Sequence, residues 1–137
     1  MPNMKEGDTL PAIEKSVTQE QIESYAEAAG DFNPIHLDHE FAANTDFGGR
    51  IAHGMMIIAF VSEMMTVAFQ EDWLAKGQLK VRFRAPVYPG ETVATFGQVK
   101  SIKEQDGSTR FVCSVGVRKQ NGDDAINGDA TVIIPMA

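Results

Sequence analysis

The sequence predicts an α+β fold in which an antiparallel sheet wraps around one long central helix. A nearly all-apolar segment, residues 54–70, has the length and composition of a buried helix. Four β-rich segments follow it in the C-terminal half of the chain. Asp106-Gly107 and Asn121-Gly122, which are typical of tight hairpin turns, separate the last three of these segments. The 137 residues fit one domain, which we expect to span residues 1–137.

The N-terminal part predicts a short strand and a capped helix. The strand falls at about residues 12–16. Thr18 has the position of an N-cap, and Gln21 stands three residues later, as a capping box requires. The helix is expected to continue to about Ala29 and to end at Gly30, because glycine favours the left-handed conformation that closes many helices.

Residues 31–52 predict a largely irregular segment. Pro34 excludes a regular helix through its middle and favours an extended conformation at Asn33. A short helix is expected at about residues 38–43, and the Phe-Gly-Gly-Arg run at residues 47–50 is typical of a loop. So long a stretch with little regular structure is uncommon in a compact domain unless it has a function.

The strands are expected at residues 78–85, 92–102, 109–119 and 125–134. The first alternates between an apolar and a basic face, which indicates that one face of the sheet meets solvent. The basic face carries Lys80, Arg82 and Arg84. An open edge of this sheet would favour pairing with a second subunit.

Composition excludes several classes of protein. The formal charge of −7 opposes nucleic-acid binding, which depends on cations that neutralise phosphates. The longest apolar stretch, residues 51–69, contains too many polar residues for a membrane span. Cys113 is the single cysteine, so neither an intrachain disulfide nor a thiolate metal site is expected. The N-terminus has no apolar run typical of a secretory signal, and we expect a cytosolic protein.

A carboxylate and an imidazole lie on either side of a proline in the irregular segment. Asp31 follows the helix-ending Gly30, and His36 comes two residues after Pro34. A bend between Asp31 and His36 would aim both side chains at one water molecule, which is a general acid–base arrangement. The same residues also fit a structural interpretation, since aspartate is common in turns and histidine often bonds to backbone.

A second candidate lies where the apolar helix begins, at His53-Gly54. The N-terminus of a helix offers unpaired N–H groups and a positive dipole, and a ligand can approach glycine closely. Such donors can stabilise a developing oxyanion. Alternatively, Gly54 only allows a close helix–sheet contact, and His53 only bonds to nearby backbone.

The segment YAEAAGDFNPIHLDHEFA, residues 25–42, resembles the signature of MaoC-like (R)-specific enoyl-CoA hydratases. Residues 50–55, RIAHGM, and residues 81–92, VRFRAPVYPGET, resemble the start of that family's central helix and the strand and turn that follow it. The resemblance covers nearly the whole chain in order. The positions that match the signature are Gly30, Asp31, Asn33, Pro34, Ile35, His36 and Ala42.

The resemblance implies a single hot-dog domain and a homodimer whose active sites lie near the subunit interface. It implies that Asp31 and His36 are the catalytic pair and that the irregular segment around Pro34 and residues 47–50 is the overhang of the active site. The implied reaction is the reversible hydration of trans-2-enoyl-CoA to (R)-3-hydroxyacyl-CoA, as in fatty acid metabolism or the supply of polyhydroxyalkanoate precursors. Coenzyme A is then part of the substrate, and neither a separate cofactor nor a metal is expected.

Four further residues are candidates for substrate binding or for support of the catalytic pair: Asn33, His53, Ser62 and Arg84. Asn33 would orient the overhang, and Ser62 would support Asp31 from the central helix. Arg84, with its basic neighbours on the strand, would meet the phosphates of coenzyme A; otherwise these cations form a solvated face.

Three alternatives stay open on the sequence. A hot-dog acyl-CoA thioesterase would place a carboxylate at the thioester carbonyl, and Glu63 is the candidate. A non-catalytic hot-dog module would bind acyl chains or a partner subunit. A dehydratase of the same family would act on thioesters of a carrier protein.

Overall fold

The computed structural model describes residues 3–136 and has the predicted α+β layout. The antiparallel sheet has the strand order β1-β3-β4-β5-β2. Its strands are β1 (Glu14–Ser16), β2 (Gln78–Phe83), β3 (Thr92–Gln105), β4 (Ser108–Lys119) and β5 (Asp124–Pro135). The helices are α1 (Gln19–Ala29), α2 (Pro34–Leu37), α3 (His39–Ala43), α4 (Gly54–Phe69) and α5 (Glu71–Lys76).

The local signals in the sequence have the predicted structural consequences. Thr18 and Gln21 form the reciprocal capping box of α1, and Gly30 ends that helix at a φ of 71°. The β3–β4 hairpin turns at Asp106 and Gly107, with φ values of 51° and 76°. Two successive residues with positive φ match the right-handed twist of the strands that they join.

The segment predicted as irregular is more helical than the sequence indicates. Pro34 opens the short helix α2, and Asn33 caps that helix through its side chain. A proline is tolerated in the first turn because its missing N–H would have had no helical partner there. The helix expected at residues 38–43 is present as α3, with Asp38 as its N-cap.

Helix α5 is not predicted by the sequence analysis. It begins directly after Gln70, whose φ of 53° breaks the helical path of α4. Its Trp73 is buried, and it packs against α4 and β5. The apolar periodicity of α4 ends before this turn, which is why the pattern gave no sign of a second helix.

The core lies between α4 and the sheet. Helix α4 contacts β3, β4 and β5, and Val61, Met64 and Met65 on it are fully buried. None of the helices within residues 3–136 is long and apolar enough to cross a membrane.

Strand β2 forms one edge of the sheet and pairs with β5 alone among the described strands. Its Leu79 and Val81 are half-buried against the core, whereas Lys80 and Arg82 face solvent, as the alternation predicts. Phe83 departs from the expected inward position and is 62% exposed, because it lies at the end of β2 over the first residue of α4.

Two valines on α4 allow a matched test of this packing. Val61 is fully buried and Val67 is 55% exposed. We expect Val61→Ala to lower the free energy of unfolding by about 2 kcal/mol, because it removes two buried methyl groups and leaves a cavity. Val67→Ala should change it by less than about 0.5 kcal/mol. Equal effects in chemical denaturation would contradict this description of the core.

Candidate active site

Residues 51–53, directly before α4, hold the catalytic candidates in place through four hydrogen bonds. The ring Nδ1 of His36 is 2.8 Å from the carbonyl oxygen of Ile51, and the N–H of Ile51 donates to the Ile35 carbonyl at 3.2 Å. The ring Nε2 of His53 is 3.0 Å from the carbonyl oxygen of Asp31.

The fourth bond connects this segment to the opposite side of the site. The N–H of Ala52 donates to the carbonyl of Val87 at 2.8 Å. Residues distant in sequence, from the overhang and from the chain after β2, therefore meet at the start of the central helix.

The bond to Ile51 defines the protonation of His36. A carbonyl oxygen can only accept, so Nδ1 carries the proton and donates it to Ile51. The neutral ring then has its lone pair on Nε2. By the same reasoning His53 donates from Nε2 to Asp31, and its buried Nδ1 has no partner among the described residues.

Asp31 is exposed and is oriented by the chain on both sides of it. Its backbone N–H donates to the Ala26 carbonyl at the end of α1 at 3.1 Å. Its Oδ1 accepts the N–H of Asn33 at 3.2 Å, and the Asn33 side chain accepts the N–H of Ile35 at 3.1 Å. Asn33 therefore shapes the bend between the two candidates.

The three polar side chains converge. One carboxylate oxygen of Asp31 and one ring nitrogen from each of His36 and His53 lie within 4.8 Å of one another. The two imidazoles are stacked, with centroids 3.8 Å apart and planes inclined by 26°. The ring of Tyr25, on α1, also packs against the His53 ring, and the two ring centroids are 4.8 Å apart.

The environment keeps His36 neutral. Burial lowers the pKa of His36 below its ordinary value of 6.5, and the nearby His53 lowers it further. The hydrogen bond to the Ile51 carbonyl and the charge of Asp31 act in the opposite direction, but burial is the largest cause. His36 can therefore accept a hydrogen bond at neutral pH.

Gly54 begins α4 with an N–H group that has no acceptor within residues 3–136. A Cβ atom at this position would come within 2.5 Å of the Phe83 ring, so the close helix–sheet contact considered above is present. Gly54 also lines a cleft, so the same residue combines a tight contact with an available donor at a positive helix end.

The cleft has a volume of about 500 Å³ and is mostly apolar. His36 lies at its wall, whereas Asp31 is exposed and is not among its lining residues. Three parts of the chain supply the lining: residues 36–57, residues 83–87 after β2, and residues 125–126 at the start of β5. An apolar cleft with a few polar groups at one end is typical of a small-molecule site.

Arg84 lies at this cleft and at a neighbouring polar groove. Its Nε donates to the Asn127 side chain at 3.1 Å, and within residues 3–136 the other N–H groups of its guanidinium have no hydrogen-bond partner. Its position is compatible with the predicted contact to the phosphates of a substrate.

Ser62 and Glu63 lie elsewhere. The Ser62 hydroxyl accepts the indole N–H of Trp73 at 2.9 Å, about 12 Å along α4 from Gly54. The expectation that Ser62 supports Asp31 is therefore corrected: it stabilises the contact between α4 and α5. Glu63 forms an ion pair with Lys15 at 2.9 Å, and both side chains are partly exposed at the surface of the protein.

Asp31, His36 and His53 are also the group among the described residues that could hold a metal ion. Each imidazole already donates one N–H to a backbone carbonyl, and the remaining nitrogen of His53 is buried. These bonds leave one acceptor nitrogen on each ring, which is equally the state of an imidazole that accepts a hydrogen bond and of one that binds a metal.

The sequence analysis missed the backbone partners of the site. The carbonyl groups of Ile51 and Val87 carry no signal in the side-chain pattern, although they orient His36 and position residues 51–53. Phe47 and Phe83 were recognised only as loop and strand residues, and their places at the cleft depend on tertiary packing.

Comparison with known proteins places the chain in a family. The sequence profile of the family described as MaoC like domain matches residues 3–123. The chain is 32% identical over 124 residues to 3-hydroxybutyryl-CoA dehydratase from Methylorubrum extorquens, with 90% of this chain and 76% of that protein covered. It is 31% identical over 135 residues to (R)-specific enoyl-CoA hydratase from Rhodospirillum rubrum, with 97% and 90% covered.

The fold agrees as well. R-Hydratase PhaJ1 from Pseudomonas aeruginosa in its unliganded form has a TM-score of 0.81 and 27% identity, with 99% of this chain and 86% of that chain covered. The match to this family includes the whole segment from Asp31 to Gly54 and the cleft residues 83–87. The chain therefore belongs to the MaoC-like hydratase/dehydratase family and has its hot-dog fold.

Proposed function

We propose that the protein catalyses the reversible hydration of a trans-2-enoyl-CoA to the (R)-3-hydroxyacyl-CoA. The observation that carries this proposal is the convergence of the Asp31 carboxylate and the His36 ring within 4.8 Å. One water molecule can bridge two polar groups at such a separation. The named activities of the relatives from Rhodospirillum rubrum and Methylorubrum extorquens support the same reaction class.

In the forward direction the attacking water lies between the two side chains. Asp31 accepts a proton from the water while the oxygen atom of the water bonds to C3 of the enoyl group. The lone pair on Nε2 of His36 accepts the second hydrogen of the water and fixes its direction. His53 acts as a positioning residue, because it donates to the backbone carbonyl of Asp31 and stacks on His36.

Attack at C3 moves negative charge to the thioester oxygen. The free N–H of Gly54, at the positive end of α4, is the donor that would stabilise this enolate. The intermediate becomes the product when C2 takes a proton from the catalytic pair, so the water is added across the double bond without a further reactant. No metal or separate cofactor enters this scheme.

The apolar cleft beside His36 would receive the acyl chain, and Arg84 at the cleft would meet a phosphate group of coenzyme A. A carrier-protein thioester presents a phosphate through its prosthetic group, so the same geometry serves both carriers. The thioesterase alternative loses support, because its candidate Glu63 is bound to Lys15 at the surface of the protein.

A second copy of the chain is the proposed partner. Strand β2 leaves one edge unpaired within the described residues, and the exposed apolar side chains of Phe83 and Met55 lie beside that edge and the cleft. Covering them would shield the site from bulk water, which strengthens its electrostatic interactions. Light scattering should give the mass of a dimer, and a monomeric mass at assay concentration would contradict this assembly.

The decisive assay follows the absorbance of the conjugated double bond of crotonyl-CoA, with separate measurement of free thiol and chiral analysis of the product. We expect loss of the double bond, an intact thioester and (R)-3-hydroxybutyryl-CoA. Release of thiol would favour the thioesterase, an (S) product would contradict the proposed stereochemistry, and absence of any reaction would favour a binding module.

Asp31→Asn keeps the shape of the side chain but removes the base. We expect it to lower turnover of crotonyl-CoA by about 10²–10⁴-fold with an unchanged circular dichroism spectrum. Asp129→Asn is the matched control, since Asp129 is half-exposed and forms a 3.8 Å ion pair with Lys100. Turnover of Asp31→Asn close to that of the control would remove Asp31 from the mechanism.

The pH profile should report the neutral state of His36. Its pKa lies below 6.5, so turnover should remain constant as the pH falls through 6.5 and should decline only at lower pH, where Nε2 becomes protonated. The unfolded chain binds this proton at higher pH than the folded protein, so the free energy of unfolding should begin to fall near pH 6.5 and level off where turnover declines. An acidic limb centred above 6.5 would contradict the role of burial at His36.

Arg84→Gln should separate phosphate binding from chemistry. We expect a higher KM for crotonyl-CoA, nearly unchanged kcat, and no change in KM for crotonyl-pantetheine, which lacks the phosphates. Arg110→Gln is the control, because Arg110 lies on an exposed face of β4 away from the cleft. An equal change for both substrates would show that Arg84 does not contact the phosphates.

A further inference from the structure

A tyrosine outside the catalytic centre connects two walls of the cleft. Phe47 of the overhang and residues 83–87 after β2 both contribute to its lining. Tyr88 follows the second of these segments, and its hydroxyl donates to the carbonyl oxygen of Phe47 at 2.7 Å. One hydrogen bond thus joins the two walls.

The Phe47 side of this contact has few other restraints. The remaining hydrogen bonds of residues 45–49 are local, such as those from Gly48 to Thr45 and from Thr45 to Ala42. Within residues 3–136, the Tyr88 hydroxyl provides the one hydrogen bond from this loop to a distant element. The Phe47 side chain is 44% exposed, so packing alone restrains it only in part.

The Tyr88 side, in contrast, is firmly anchored. Its backbone N–H donates to Oε1 of Glu91 at 2.6 Å, and the N–H of Glu91 donates back to the Tyr88 carbonyl at 3.1 Å. Glu91 is itself attached to the N-terminal part of the chain, since its carbonyl accepts the N–H of Val17 at 2.9 Å.

The segment that carries Tyr88 is also attached to the sheet, through Lys119 of β4. The Lys119 side chain is only 8% exposed, and its ammonium lies 3.2 Å from Oε2 of Glu91. It also donates to the Pro86 carbonyl at 2.8 Å and lies 5.4 Å from the centre of the Tyr88 ring. A buried cation requires such partners, because an unpaired charge is costly to remove from water. Lys119 therefore fixes the wall that carries Tyr88.

We propose that Tyr88 is a specificity-determining residue: through its hydrogen bond to Phe47 it holds the overhang against the cleft and limits the length of acyl chain that binds. Tyr88 positions Phe47 and takes no part in the chemistry. This inference rests on the proposed function in taking an acyl thioester as the ligand, but it does not depend on hydration.

The test measures binding of butyryl-CoA and octanoyl-CoA by calorimetry. Both are saturated and cannot be hydrated, so the measurement needs no turnover. Tyr88→Phe removes only the hydroxyl. We expect the ratio of the two affinities to shift by about three- to tenfold in favour of octanoyl-CoA, as the loss of one net hydrogen bond allows. A general loss of protein stability would weaken the binding of both thioesters by the same factor and leave the ratio of the two affinities unchanged.

A double-mutant cycle assigns the effect to Phe47. Phe47→Ala should shift the ratio in the same direction, and Tyr88→Phe should add little in the Phe47→Ala background, because both changes act on one contact. Ser16→Ala, which removes a surface hydroxyl 3.5 Å from that of Thr92, is the control and should leave the ratio unchanged.

The outcomes distinguish this inference from the proposed function. An unchanged ratio in Tyr88→Phe, or additive effects of the two substitutions, would overturn the role of Tyr88 while leaving the hydratase proposal intact. Failure of the unsubstituted protein to bind either thioester would overturn both, whereas binding without hydration of crotonyl-CoA would overturn only the hydratase proposal.

Discussion

The site depends on the hydrogen bonds that residues 51–53 make immediately before the central helix. The Ile51 carbonyl orients His36, and His53 holds the backbone of Asp31. The next residue, Gly54, presents the first free N–H of α4. The Asp31 carboxylate, the His36 imidazole and the N-terminus of α4 are therefore all connected to residues 51–54. For the function proposed above this matters, because groups that are already in place need not move as charge develops.

Burial gives the two candidate catalytic groups different properties. Asp31 stays exposed, whereas His36 is about nine-tenths buried and stacked on His53. Desolvation disfavours the charged imidazole, so the pair consists of a charged acceptor and a neutral one. Such a pair can accept both hydrogens of one water molecule. A buried pair of histidines is therefore compatible with hydration chemistry, because the charge of the site resides on the Asp31 carboxylate and not on the imidazoles.

The cleft combines a rigid wall with a less restrained one. Lys119 and Glu91 attach the chain after β2 to the sheet, while the Phe47 loop is tied to that wall by the Tyr88 hydroxyl. His36 and Gly54 lie at the same cleft but on other elements, α2 and α4. In the proposals above, a change in the position of the Phe47 loop alters which acyl chain fits and leaves the water-binding groups in place.

The sequence by itself determined the α+β layout, the hairpins and the cap of α1, because these follow from local turn and capping chemistry and from apolar periodicity. It also made Asp31, His36 and Gly54 candidates for the site, because the motifs that contain them are local in the chain. The tertiary structure decided the rest. It showed that Pro34 opens a short helix, which the Asn33 side chain caps. It also showed that Ser62 accepts a hydrogen bond from Trp73 and that the Ile51 carbonyl orients His36. These last two contacts join different elements of the fold, and a backbone carbonyl is the same in every residue, so no pattern of side chains could have revealed them.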